Sequence, residues 1–229
     1  DGYALASPWT GFFNLAFTVG SNTMITLPDA SLGAMVGGYL SDNVYAAASI
    51  IDAGYQPTDM FEGFETFFGD FNTFKTLEIG ITEGGKRFLF DNAHIAVWQT
   101  DDSDDSGVPS GWGVNAHVST VVDGHWLPFL RAAWVHEGGG LHEVSVSGGF
   151  GYQNKPGGNQ LGVGLNWGRP NSDTFGVDLD DQWMSEVFYR VQLTENIQIV
   201  PNLQLIVNPS LNPDRDAIAL FGLRARGTF

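Results

Sequence analysis

Apolar and polar residues alternate along most of this chain with a period of two. Over residues 184–193, Val187, Tyr189, Val191 and Leu193 alternate with Glu186, Arg190 and Gln192. Over residues 197–207, Ile197, Ile199, Leu203, Leu205 and Val207 stand against Gln198, Asn202 and Gln204. At the C-terminal end Ala217, Ala219, Phe221, Leu223, Ala225 and Phe229 share one face, and Arg224, Arg226 and Thr228 take the other. This alternation predicts strands with one apolar and one polar face. About twelve are expected, over residues 12–19, 32–40, 44–53, 71–82, 93–100, 112–121, 126–135, 143–152, 161–168, 184–193, 197–207 and 217–229. Short turns such as Thr194-Glu195-Asn196, Ser41-Asp42-Asn43 and Asp123-Gly124 join some of them, and longer connections at 101–111 and 170–181 join others. Short periplasmic turns with longer outer loops mark an up-and-down membrane barrel.

The face opposite the apolar one separates a barrel from a soluble sandwich. A sandwich fills its interior with bulky residues from every strand. Here Val114, Ala116 and Val118 back onto Asn115, His117 and Ser119. Val144, Val146, Phe150 and Tyr152 back onto Ser145, Ser147 and glycines, and Leu161, Val163, Leu165 and Trp167 onto Gly162, Gly164 and Asn166. The polar or empty face reads as the wall of a wet interior. An arginine at the lipid midplane costs about 2–4 kcal/mol, so Arg190, Arg224 and Arg226 are expected to face a lumen. Arg131 joins them if its strand keeps register through Pro128. No apolar run reaches the ~18 residues a transmembrane helix needs, and a closed sheet is the other structure that satisfies its backbone in lipid. The expected fold is all-β, a transmembrane antiparallel up-and-down β-barrel, as a single domain over residues 1–229. A terminal aromatic on the apolar face is similar to the C-terminal signature of bacterial outer-membrane barrels.

One stretch breaks the pattern. Asp59 and Glu62, with Pro57 before them and Gly69 after, predict a short helix over 59–68 whose Phe61, Phe64 and Phe68 pack on a barrel wall. Trp9, Trp112, Trp126, Trp134, Trp167 and Trp183 lie mostly near strand ends, where an interface belt would put them; core packing is the plain alternative for Trp134 and Trp167.

Composition narrows the chemistry. Ten basic against twenty-six acidic residues give a formal charge of −16, which argues against nucleic-acid binding. The absence of cysteine removes disulfides, thiolate metal sites and cysteine nucleophiles together. His136-Glu137-Gly138-Gly139-Gly140-Leu141-His142 has the wrong spacing for a zinc-protease helix, and its glycines oppose any helix. Asp102, Asp104, Ser106 and Gly107 match the first half of a calcium loop, but Gly113 stands where a bidentate glutamate is needed. Asp102 and Asp104 therefore remain weak cation candidates, with Asp178, Asp180 and Asp181 less specific still. Such acidic loops could share divalent cations with lipopolysaccharide phosphates. No nucleophile elbow, phosphate-binding loop or dinucleotide fingerprint is present, so neither an enzyme nor a cofactor is expected.

At the C-terminal end the sequence resembles the OprB family of carbohydrate-selective porins. There a "Tyr-x-x-Gln-Leu-Thr … Pro-x-x-Gln-x-x-x-Asn-Pro" stretch precedes the closing strand, matched here by Tyr189, Gln192, Leu193, Thr194, Pro201, Gln204, Asn208 and Pro209. Residues 32–52 resemble the family's paired strands around an Asp-Asn turn followed by Tyr. The resemblance implies a bacterial outer-membrane channel for passive diffusion of small sugars, in a barrel of about sixteen strands. On about twelve strands, the chain would lack N-terminal strands of such a barrel. A sugar pore needs donors and acceptors that replace hydration yet release the solute. Arg190, Gln192, Arg224, Arg226, Gln198, Gln204, Asn202, Arg131, His117 and Asn115 supply that inventory on the expected inner faces. Expected partners are small sugars, outer-membrane lipids and lipopolysaccharide, with association into homo-oligomers left open. A porin for other small solutes is the nearest alternative. A soluble β-sandwich that binds glycans is the alternative from another class, and an outer-membrane barrel enzyme a third.

Overall fold

The computed structural model describes residues 2–7, 9–24, 32–53, 62–102, 109–155 and 157–228. Eleven strands appear among them: β1 (Gly33–Tyr39), β2 (Val44–Asp52), β3 (Thr73–Thr82), β4 (Asn92–Thr100), β5 (Gly111–Ser119), β6 (Trp126–Glu137), β7 (His142–Gln153), β8 (Gln160–Pro170), β9 (Gln182–Gln192), β10 (Ile197–Val207) and β11 (Ala217–Gly227). They form a single antiparallel meander in which each strand pairs with its neighbours in sequence, from β1 to β11. The sheet is open, a partial barrel with β1 and β11 as its edges. A single curved sheet with an exposed apolar face replaces the two stacked sheets of the sandwich alternative. β2 to β11 are 9 to 12 residues long, the length a tilted strand needs to cross a bilayer.

Which face is outward follows from exposure. Leu77, Ile79, Ile95, Leu130, Leu165, Val187, Leu203, Leu205, Phe221 and Leu223 are exposed large hydrophobics, all on the convex side. Aromatic residues border this band. At the long-loop end Trp112 packs edge-on against Trp134 with centroids 4.9 Å apart, and Trp167 lies opposite Trp183 in register. At the short-turn end Trp126 packs on Tyr152 at 4.7 Å. Trp134 and Trp167 thus belong to the outer girdle and not to a core. The connections 40–43, 83–91, 120–125 and 193–196 share the end of the sheet where most turns are short, the end that an outer-membrane barrel turns to the periplasm.

Residues 12–19 are not a strand. They form two short 3-10 turns, Leu15–Phe17 and Val19–Asn22, within a segment that runs along the concave side of the sheet. The Asn14 side chain caps the first turn by accepting from the Ala16 backbone N–H, and Gly20 takes φ of 72°. Phe12, Ala16 and Phe17 are all buried, a spacing that serves a turn and defeats a pleat. Together with Tyr3 and Leu5 they form an apolar cluster with Leu127, Phe129, Met184, Phe188 and Val200 of the wall. The glycine-rich inner faces are therefore not empty. A Cβ on Gly162 would lie 2.1 Å from the Phe188 ring, and one on Gly164 2.7 Å from the Phe17 ring. The missing side chains make room for aromatic rings from the next strand and from the inner segment. Over β6 to β10 the expected wet interior is a packed one.

The expected helix at 59–68 lies partly outside the described residues. Glu62–Glu65 is α-helical and continues as a π-helical turn over Thr66–Asp70. Phe64 is 55% and Phe68 71% exposed, so neither packs on the wall. Phe68 meets Phe67 edge-on instead. Glu137, Gly138 and Gly139 all take positive φ in the tight β6–β7 turn. That turn sends His136 to the outer face and buries His142 on the inner one, so the two imidazoles cannot share an ion.

Candidate functional site

The concave face is a set of lateral rows fixed by strand register. One row reads Tyr45, Gly80, His94, His117, Arg131, Ser147 and Asn166 across β2 to β8. Gly80 is required there because the Tyr45 ring lies across it. Tyr45 donates to Glu78 Oε1 at 2.7 Å, and the His94 and His117 rings stack at 5.1 Å. Arg131, 2% exposed, donates to the Phe17 carbonyl at 3.3 Å and lies 5.1 Å over the Tyr3 ring. Ser147 donates to the Ala16 carbonyl at 2.8 Å, and Asn166 donates to Ser145 and Ser147. Carbonyls that no strand partner satisfies are thus taken up by wall side chains.

A second group of wall residues grips the other side of the segment. Glu186, fully buried, accepts from the Phe13 N–H at 2.9 Å, from the Asn14 N–H at 2.9 Å and from Asn202 Nδ2 at 3.0 Å. Asn14 donates to Gln204 Oε1 at 2.9 Å, and Gln198 donates to the Trp9 carbonyl at 3.3 Å. Arg224 donates to the Gly11 carbonyl at 2.8 Å and lies 5.2 Å over the Phe13 ring. A carboxylate taken out of water is tolerated here because several hydrogen bonds satisfy it.

All ten expected lining residues lie on the concave side, and Arg190, Arg224 and Arg226 point inward. The structure then divides the set. Arg131, His117, Asn115, Asn202, Gln204 and Gln198 are buried, and most of them contact the inner segment. Arg190, Gln192, Arg224 and Arg226 keep surface exposed along the β9–β11 side. Arg131 holds its place through Pro128, which pairs with Phe150 in an unbroken ladder. Sequence reasoning missed Glu186, Asn166, Ser147 and Tyr3 as structural contacts of this site. Glu186 alone offered a signal, as an acid on the same face as Arg190. Asp102 is exposed, and Asp104 lies outside the described residues.

Outside the spanning strands, two carboxylates brace the ends. Burial opposes ionisation of Asp101, but hydrogen bonds from Gln99, Thr73 and Lys75 outweigh it and hold its carboxyl down to about 2. Burial also acts on Asp91, and bonds from the Val121 N–H, Thr120 and Arg87 pull its pKa below the usual range.

The family profile described as "Carbohydrate-selective porin, OprB family" matches residues 3–229. The chain belongs to the OprB porin family. This porin is similar in fold to OprB of Pseudomonas putida, with 16% identity, a TM-score of 0.71, and coverage of 99% of this chain and 67% of that one. It also resembles the outer membrane channel DcaP of Acinetobacter baumannii, with 14% identity, a TM-score of 0.55, and coverage of 86% and 62%. No curated protein matches it. The porin is a channel protein of the bacterial outer membrane, and its convex apolar band is the surface such a barrel turns to lipid.

Proposed function

We propose that this porin passes small neutral sugars by passive diffusion, with Arg190, Gln192, Arg224 and Arg226 among the groups that meet them. The observation that carries the reading is the chemistry of the concave face: amides, hydroxyls and arginines, with the carboxylates Glu186 and Glu78 already engaged by hydrogen bonds. Amides donate and accept in pairs, and a guanidinium offers a fixed fork of donors, so each can replace water on a sugar hydroxyl. No covalent step or cofactor is involved. Passage requires binding weak enough to release the solute. Residues 3–7 and 9–24 narrow the bore by lying along its wall, where Arg131, His117, Asn115, Gln204 and Gln198 contact them. Lipid and lipopolysaccharide cover the convex face.

Liposome swelling tests this directly. Vesicles holding the full-length protein should swell in isosmotic glucose and more slowly in larger oligosaccharides. Equal rates for glucose and for an unrelated neutral solute of the same size would favour a general porin, and absence of sugar flux would overturn the reading.

A further inference from the structure

A polar cleft of about 930 Å³ opens at the short-turn mouth, between the β7–β8 turn, the β9–β10 turn and the end of β11. It lies away from the apolar cluster that packs the inner segment on β6 to β10. We propose that this cleft is a sugar-binding station at the periplasmic exit, separate from the narrowed part of the bore. The proposal rests on the sugar reading above and names a further site within it.

Size, lining and order support it. The volume falls in the range of small-molecule pockets. Asn159, Gln192, Asn196 and Gln198 contribute amides, Arg226 a guanidinium and Thr228 a hydroxyl. Lys155 and Glu195 stand at the same rim with opposite charge, so Arg226 leaves the cleft an excess of one positive charge. The rim is already ordered by its own bonds. Asn159 Oδ1 accepts the Gln192 N–H at 2.9 Å, Gln192 Nε2 donates to the Thr194 carbonyl at 2.7 Å, and the Thr228 N–H donates to the Asn196 carbonyl at 3.0 Å. A site ordered before the ligand arrives loses less freedom on binding. Amides, a hydroxyl and a guanidinium on one rim supply the paired donors and acceptors that the hydroxyls of a pyranose ring need. Arg226 and Arg224 follow one another on the inner face of β11, so a sugar leaving the lumen meets one guanidinium and then the next.

The test uses the full-length protein in planar bilayers, with glucose block of ion current as the readout. Arg226→Ala should raise the half-blocking glucose concentration by about ten-fold, the loss of one charge-assisted hydrogen bond. Gln192→Ala should raise it by a smaller factor, and serves if Arg226→Ala fails to give the heat-modifiable folded band. Unchanged half-blocking concentrations in a folded variant, with glucose flux intact, would overturn the exit station and leave the sugar reading standing. Absence of both block and flux in the unmodified protein would overturn the sugar reading itself. Tighter block by gluconate than by glucose would overturn the choice of a neutral sugar.

Discussion

Outward, β9 and β10 present Val187, Tyr189, Leu203 and Leu205, exposed side chains set beside those of adjacent strands. Inward, the same two strands present Glu186, Phe188, Asn202 and Gln204, whose partners include residues up to 190 positions away. The outer face needs only apolar side chains of roughly any shape, because lipid conforms to them. The inner face must match a particular segment atom by atom, because a packed interior leaves few voids. Substitutions should therefore be judged by different rules on the two faces of one strand.

The largest effect is expected inside. Phe188→Ala removes the ring that fills the space over Gly162 and meets Phe12 edge-on at 5.1 Å. It should cost about 3–5 kcal/mol in urea unfolding from lipid vesicles. A cost below that of an outward Leu205→Ala change would break the comparison. Next, Leu203→Arg, turned outward near the middle of β10, should cost about 2–4 kcal/mol, while Leu203→Ile should be nearly silent. Glu186→Gln should cost about 1.5–3 kcal/mol by weakening the bonds to the Phe13 and Asn14 N–H groups. It should also raise single-channel conductance, since the segment then lies less firmly on the wall; an unchanged conductance would deny that role. Gly162→Ala should cost about 1–3 kcal/mol, and less in a Phe188→Ala background, because the clash is with that ring.

The smallest effect concerns Asp101 at the long-loop end. Its carboxyl is held down to about 2, so its stabilising contribution is complete above the unfolded-state value near ~3.9. That contribution disappears as pH falls through about 2. Asp101→Asn should lower the melting temperature at neutral pH, and the gap to the unmodified protein should close in strong acid. A gap that persists there would rule out the charge as its cause.

Most of the sheet was legible in the sequence. Eleven of the twelve expected segments are strands, within a few residues of their observed ends, because period-two alternation acts locally and lipid enforces it. The inward aim of Arg190, Arg224 and Arg226 followed from the cost of burying charge in hydrocarbon. Residues 12–19 were misread because aromatic, apolar and small residues in a row suit a strand as well as an inner turn. What decides between them is a partner, and theirs are the side chains of Arg131, Ser147 and Glu186. The inner glycines were misread for a related reason. A glycine in a strand declares that something approaches closely, and the sequence alone does not say whether it is water, a solute or the ring of Phe188 or Phe17.

The sequence by itself determined a membrane-crossing meander with an apolar exterior and the direction of its arginines. Each of these rests on interactions between a side chain and its solvent, which composition and period record directly. Only the tertiary structure decided that residues 3–7 and 9–24 lie on the concave side of the sheet and that Glu186 and Arg131 hold them. Those outcomes depend on contacts between residues more than a hundred positions apart, and no local pattern encodes them.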